Sequence, residues 1–318
     1  MREPEGARAL RRFAVGLLVY SLFVVLWGAY VRASFSGDGC GDHWPLCHGV
    51  VLPHQASTKT LIELAHRVTS GLALIGALVL PWLARRGSPA GAPVRGAASL
   101  ALLFMVSEAL VGGAIVILRK VANDLSVARG YWMAAHLVNT FLLLAALVAA
   151  VFFAAHPSVR APRHAPASGS TPAASDADRG WWPFALALLL LLLTGMTGAV
   201  TALGDTLFPA ESFSASFAQE FHPGAHPFLR LRVFHPIAAL LSAGWLAYLG
   251  GTRLEEREQR RPAQALLALV ALQVALGFAN MLLLAPVWMQ LLHLAVADAL
   301  FMAFVWLALT ARYGVAAP

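Results

Sequence analysis

Eight apolar runs, each about 20 residues long, alternate with short polar segments along the chain. They lie near 13–33, 61–84, 97–118, 131–155, 183–203, 231–250, 264–284 and 287–311. A helix of about 20 residues crosses the hydrocarbon core of a bilayer, where backbone groups must be hydrogen-bonded within the protein. The sequence therefore predicts an all-α polytopic membrane protein of eight transmembrane helices.

The composition excludes a large water-soluble domain. Of the 318 residues 59% are hydrophobic and 12% are charged, whereas soluble domains carry about 25% charged residues. We expect the lipid bilayer to be the main solvent. The first apolar run is long enough to span, and no clear small-residue cleavage site follows it, so we predict a retained helix rather than a signal peptide.

The net charge of +7 indicates membrane topology rather than a nucleic-acid partner, because the basic residues are scattered in small groups between the apolar runs. With the N-terminus inside, 15 of the 23 Lys and Arg residues fall in cytoplasmic segments and eight fall outside. The positive-inside rule then predicts a cell-membrane protein with both termini in the cytoplasm. Because the basic residues are scattered, we expect no nucleic-acid binding.

A segment rich in Pro, Ala and Ser, residues 156–180, divides the chain. We predict that it is a flexible cytoplasmic linker between an N-terminal four-helix half, residues 1–155, and a C-terminal half, residues 181–318. The halves share short matches in the same order: GAYVRAS with GAVTALG, ELAHR with RVFHP, Glu108 with Gln273 (each four residues before a glycine), and WMAAHL with WMQLLHL. Since four helices return the chain to its starting side, we expect two parallel, pseudo-repeated four-helix bundles.

Four histidines are the most informative interior residues. Each even-numbered predicted helix carries one, near its outer end: His66, His136, His235 and His293. Two imidazoles that face each other in a four-helix bundle can supply both axial ligands of a haem iron. Hydrogen bonding between helices is the alternative, but the repeated pattern favours haem. The spacing is poor for zinc and the chain lacks C-x-x-C-H, so we expect a non-covalent b-type haem.

A carboxylate accompanies only one histidine pair. Glu63 precedes His66 by three residues and shares its helix face, whereas Arg232 precedes His235 at the same spacing. Glu63 can act as a general acid or base, or stabilise positive charge, but a simple ion pair with Arg67 is equally compatible with the sequence. The asymmetry suggests one redox haem and one reactive haem.

Cys40 and Cys47 lie in the glycine-rich outer loop FSGDGCGDHWPLCHG. A structural disulfide in an oxidising compartment is the favoured interpretation. A regulatory redox pair, or a copper site completed by His43 and His48, is the alternative.

These features resemble the haem A synthase family of eight-helix membrane proteins. The resemblance rests on GAYVRASFSGDGCGDHWPLCHG, on TLIELAHRVTSG and on the single histidines of helices 4, 6 and 8, and it covers roughly residues 13–311. The chain departs from the family pattern in SGDGC and in Pro236, which follows His235. The resemblance implies that the C8 methyl group of haem O is oxidised to a formyl group by successive hydroxylations.

The resemblance also implies roles for particular residues. Glu63 would be the catalytic carboxylate, His66 and His136 would flank the substrate haem O, and His235 and His293 would hold an electron-relaying haem b. Cys40 and Cys47 would form a disulfide that shapes the site. The implied partners are a haem O synthase, an electron donor of unknown identity and a terminal oxidase that receives haem A.

Three other functions use some of the same features. A di-haem b-type cytochrome that accepts electrons from quinol needs the histidines but not Glu63 beside one pair. A transporter also has parallel repeats and interior charges, but four aligned histidines and helices without an evident substrate-binding break argue against it. A haem-insertion factor without catalysis is the third.

Overall fold

The computed structural model describes residues 5–159 and 180–315, and within these ranges the chain is helical, with a single isolated β-bridge between Cys47 and Val50. The predicted all-α fold is confirmed. Most of the predicted linker, residues 160–179, lies outside the described residues, as do Arg2, Arg160, Arg163 and Arg179.

The eight predicted spans are confirmed as helices that are long and apolar enough to cross a membrane. The helices are α1 Glu5–Ala33, α2 Thr58–Gly87, α3 Pro93–Ile117, α4 Val127–Ala155, α5 Trp182–Leu207, α6 Phe213–Phe221, α7 Pro227–Leu231, α8 Phe234–Gly251, α9 Arg260–Leu282 and α10 Val287–Tyr313. Helices α7 and α8 together form the sixth span, and the chain is a multi-pass membrane protein.

The helices differ from the apolar runs in three places. Helix α1 begins at Glu5 because its polar first turns are good helix formers, although hydropathy alone excludes them from the span. The short helix α6 was not predicted, since its nine residues are too few for a span. The sixth span is interrupted between Leu231 and Phe234 because the ring of Pro236 clashes with the carbonyl group four residues earlier in a continuous helix.

Two groups of four spans pack side by side. In the N-terminal group α1 contacts α2 and α4, and α3 lies between α2 and α4; in the C-terminal group α5 contacts α8, α8 contacts α9 and α9 contacts α10. Helix α4 is central, with 14 of its 29 residues buried, and it contacts α5 and α10 of the other group. The rings of Phe141 on α4 and Phe301 on α10 stack with centroids 4.5 Å apart. The pseudo-twofold relation between the halves stays a prediction.

Close packing between α4 and α5 depends on Gly195, because a Cβ atom there would lie 2.7 Å from the ring of Phe141. We expect Gly195→Leu to lower the free energy of unfolding by about 1–3 kcal/mol through overpacking. Thermal unfolding in detergent measures this. Gly16→Leu is the matched control, since nothing lies within 4 Å of a Cβ atom at Gly16; equal destabilisation by both variants would contradict the packing interpretation.

Candidate functional site

The four histidines lie in the first ten residues of α2, α4, α8 and α10. These four helices run in the same direction, because each follows one antiparallel span. The histidines therefore occupy one end of the bundle, two in each half. Among the described residues no cluster of three or more His, Cys, Asp or Glu side chains is arranged to hold a bare metal ion.

The C-terminal pair has a spacing that fits a shared iron. The ring centroids of His235 and His293 are 6.5 Å apart. Two imidazoles that bind one metal from opposite sides at about 2.0–2.1 Å have ring centres about 6.3 Å apart. Nδ1 of His235 lies 3.2 Å from the carbonyl oxygen of Thr194 and 3.3 Å from the hydroxyl of Thr197. Donation from Nδ1 leaves the Nε2 lone pair free for a metal.

Glycines make room for the histidine rings in both halves. A Cβ atom at Gly28 would lie 2.9 Å from Cε1 of His66, and one at Gly198 would lie 2.9 Å from Cε1 of His235. Nδ1 of His66 is also buried without a hydrogen-bond partner in the described part of the chain. An unpaired buried ring nitrogen beside a glycine cradle fits a site that is completed by a metalloporphyrin.

His136 faces Gly112, and His293 faces Gly277. A Cβ atom at Gly112 would lie 3.7 Å from Cε1 of His136, and one at Gly277 would lie 3.4 Å from Cε1 of His293. The residue four positions before that glycine also faces the histidine. Oε1 of Glu108 lies 3.4 Å from Nδ1 of His136, and Nε2 of Gln273 lies 3.1 Å from Nε2 of His293. The halves thus share one construction, but a carboxylate in the first is an amide in the second.

Glu108 has further partners, which the sequence alone did not assign. Its two oxygens accept hydrogen bonds from the side chains of Asn139 and Thr140. Ser107 in turn donates to Oδ1 of Asn139 at 2.6 Å. The matching positions of Glu108 and Gln273 in the two halves were the sequence signal that could have linked both residues to the histidines.

Glu63 is 3% exposed and lies in a hydrogen-bonded network. One carboxylate oxygen pairs with Arg67, and the other accepts a hydrogen bond from the backbone N–H of Cys40 at 2.7 Å. Arg67 also donates to the carbonyl oxygens of His43 and Leu46. The ion pair between Glu63 and Arg67 is therefore present and it fastens the outer loop to α2. The catalytic role of Glu63 stays a prediction.

A disulfide joins Cys40 and Cys47, as predicted, and both residues are buried. The cysteines are therefore not available as thiolates for copper. The loop fits tightly against α2, because a Cβ atom at Gly39 would lie 2.4 Å from the carbonyl oxygen of Lys59. Thr60 donates to the carbonyl oxygen of Gly39 at 2.8 Å. The loop is thus held directly above the helix that carries Glu63 and His66.

An exposed ion pair joins the same loop to the end of α3. The hydrogen bond from Arg119 to Asp42, together with the charge of Arg119, lowers the pKa of the Asp42 carboxyl group. The pair is present at neutral pH and is lost only when acid protonates Asp42.

The carboxyl group of Asp298 is fully buried on α10, and neither oxygen has a hydrogen-bond partner among the described residues. Asp298 precedes Phe301 by three residues and thus shares the helix face that packs toward α4. Asp298 lies five residues after His293 on the same helix, and its role could not be assigned from the sequence.

Comparison with known proteins gives a consistent family. The family model described as cytochrome oxidase assembly protein, COX15-CtaA, matches residues 11–305. A protein of Symbiobacterium thermophilum named heme A synthase is 31% identical over 299 residues, which are 90% of each chain. One from Staphylococcus haemolyticus with the same name is 41% identical over 110 residues, 35% of this chain and 36% of the relative.

A longer relative matches almost the whole chain. A protein of Thermus thermophilus named protoheme IX farnesyltransferase is 42% identical over 314 residues, which are 98% of this chain and 50% of the relative. The chain thus spans about half the length of that relative.

The Glu63–Arg67 pair should stabilise the loop far more than the exposed pair does. We expect Arg67→Gln to lower the free energy of unfolding by about 3–5 kcal/mol, because it leaves a buried carboxylate without its cation. Thermal unfolding in detergent and hydrogen exchange of residues 40–47 measure the effect.

Arg119→Gln is the matched control, because Arg119 is 78% exposed and its pair with Asp42 is open to solvent. It should leave stability nearly unchanged. Equal effects of the two variants would show that burial of the Glu63 pair is not what holds the loop.

Proposed function

Because the chain belongs to the COX15-CtaA family of cytochrome oxidase assembly proteins, we propose that it acts as a haem A synthase. In this reaction the C8 methyl group of haem O is oxidised to a formyl group. The relative named heme A synthase, which matches 90% of this chain, supports this activity. The farnesyltransferase named in the longer relative acts on protohaem, which supports haem O, a farnesylated haem, as the substrate and a haem O synthase as its supplier.

The observation that carries the proposal is the difference between two similarly built histidine pairs. Glu108 accompanies His136 in the first half, and Gln273 accompanies His293 in the second. Glu63, three residues before His66, adds a buried carboxylate next to the first histidine pair. We assign the carboxylate-bearing half to the substrate and the amide-bearing half to a stable haem b.

In the C-terminal half His235 and His293 would hold haem b. When bound, haem b supplies one-electron chemistry that side chains cannot. Thr194 fixes the orientation of the His235 ring through its carbonyl oxygen. Gln273 is neutral, so this half lacks a carboxylate beside His293 that could exchange protons.

In the N-terminal half His66 and His136 would hold haem O, while Glu108 fixes the ring of His136 through its carboxylate. Glu63 would be the catalytic carboxylate. Its carboxylate pairs with Arg67 and accepts a hydrogen bond from the N–H of Cys40, and we assign it the stabilisation of positive charge at the substrate carbon. The disulfide loop above α2 would exclude water from this end of the site.

The deciding experiment identifies the haems that the protein holds. The chain is purified after co-expression with a haem O synthase, and the extracted haems are separated by chromatography and identified by mass spectrometry. Haem b together with haem O or haem A supports the proposal. Haem b alone, with no haem A formed in the cells, would instead support a di-haem cytochrome.

Glu63→Ala tests the catalytic carboxylate. We expect the variant to retain haem b and to form haem A at least about 10²-fold more slowly, because it lacks the charge that stabilises the reacting carbon. Haem A is measured in extracts of the co-expressing cells. Asp42→Asn, which changes an exposed outer-loop carboxylate, should form haem A normally; a normal rate in Glu63→Ala would remove the catalytic role.

The two histidine pairs are expected to bind different haems. His235→Ala and His293→Ala are expected to lose haem b, whereas His66→Ala and His136→Ala are expected to keep it and lose haem O. Visible absorption spectra and haem extraction measure both. Full haem b occupancy in His293→Ala would contradict the ligand assignment.

A further inference from the structure

Three arginines lie at the end of the bundle beyond the histidines, with one carboxylate at ion-pair distance. Arg232, at the start of α8, pairs with Asp205 of α5, with Nε and Oδ1 2.9 Å apart. Arg32 on α1 and Arg129 on α4 have no carboxylate at ion-pair distance within residues 5–159 and 180–315. Neither guanidinium group therefore forms a direct ion pair among these residues, although Asp205 attracts Arg32 and Asp124 attracts Arg129 from farther away.

Arg129 is 2% exposed, although it carries a full charge. Its Nη1 donates to the carbonyl oxygens of Ala122 and Asp124, and its Nε is buried without a hydrogen-bond partner in the described part of the chain. It is the third residue of α4, where the helix dipole disfavours a cation. A buried cation at such a place is costly unless an anion binds to it.

Arg32 extends from the N-terminal half into the C-terminal half. It donates to the carbonyl oxygen of Ala202 at 2.9 Å, to the hydroxyl of Thr206 at 2.8 Å and to Oε1 of Gln290 at 2.8 Å. All three acceptors are uncharged. Arg32 is also close enough to Arg129 for the two charges to repel each other, so both would gain from a shared anionic ligand.

The positions of Arg129 along α4 and of Arg32 along α1 place both arginines beyond the first histidine pair, toward the end of the bundle. Arg129 precedes His136 by seven residues, which is two turns and about 10 Å along the same helix face. Arg32 follows Gly28 by four residues and shares its face, and Gly28 contacts the ring of His66. A porphyrin between the two histidines would thus meet both arginines at one edge.

We propose that Arg129 and Arg32 bind the two propionate groups of the porphyrin in the N-terminal half. The proposal rests on the proposed function for the presence of that porphyrin. Guanidinium groups bind carboxylates through paired, charge-assisted hydrogen bonds, and two propionates would neutralise two arginines. The unpaired Nε of Arg129 supplies one donor.

This contact would also restrict which methyl groups of the porphyrin can lie near Glu63. On the porphyrin ring the C8 methyl group is adjacent to a propionate-bearing position. Glu63 lies three residues before His66, toward the same end of the bundle as Arg129. Propionates held at the arginine end therefore keep the C8 methyl group and the other methyl group that flanks the propionates at the Glu63 end, and keep the methyl groups of the opposite edge away from it.

The test compares the binding of ferric protoporphyrin IX and of its dimethyl ester. The full chain carries His293→Ala, so that only the N-terminal histidine pair remains, and binding is followed by visible absorption. We expect the free acid to bind at least about tenfold more tightly than the ester. Arg129→Gln should abolish most of this preference, and Arg129→Lys should retain part of it.

Arg119→Gln, which removes an exposed arginine just after α3, is the control and should keep the full preference. A preference that survives in Arg129→Gln, or equal binding of acid and ester by the parent protein, overturns the inference and leaves the proposed function intact. If Arg129→Gln does not fold, Arg32→Gln takes its place in the test. The parent protein, which carries only His293→Ala, still shows whether the free acid binds more tightly than the ester. A parent protein that binds neither porphyrin contradicts the proposed function itself.

Discussion

The cost of placing an ionised group in hydrocarbon is the constraint on which the rest of this structure depends. Only a few ionisable side chains lie within the spans, and most of them have found partners there: Glu63 with Arg67, Glu108 with His136, and Arg232 with Asp205. Because each such group must be matched, an unmatched one carries information. The ring nitrogen Nδ1 of His66 is buried without a hydrogen-bond partner among the described residues, which is consistent with the haem site proposed for it.

The two halves show how one construction can serve two purposes. Glycine cradles position the histidine rings in both halves, so the same packing solution is used twice. What differs is charge: a carboxylate faces His136 where an amide faces His293. A neutral partner suits a haem that only exchanges electrons, whereas a carboxylate can stabilise charge or hold a proton during oxidation. Under the proposed function, this exchange of a carboxylate for an amide would distinguish the substrate half from the haem b half.

Much of this organisation could be predicted from the sequence. Hydropathy found all eight spans, and the matched motifs found the four histidines and the two cysteines that form the disulfide. Other features required coordinates. Helix α6 is too short for a periodic signal, the partners of Glu108 lie more than 30 residues away along the chain, and Arg32 contacts residues up to 258 positions distant. Spacing rules along one helix cannot reveal contacts of this kind.

The sequence by itself determined that the chain crosses a membrane eight times and which rare polar residues it carries inside, because both follow from local composition and helix length. Only the tertiary structure decided which of those residues meet. It paired Glu63 with both Arg67 and the disulfide loop, set Glu108 against His136, and buried Arg129 without a direct ion pair among the described residues. Such pairings depend on distances between helices, and those distances are set by side-chain packing across the whole bundle.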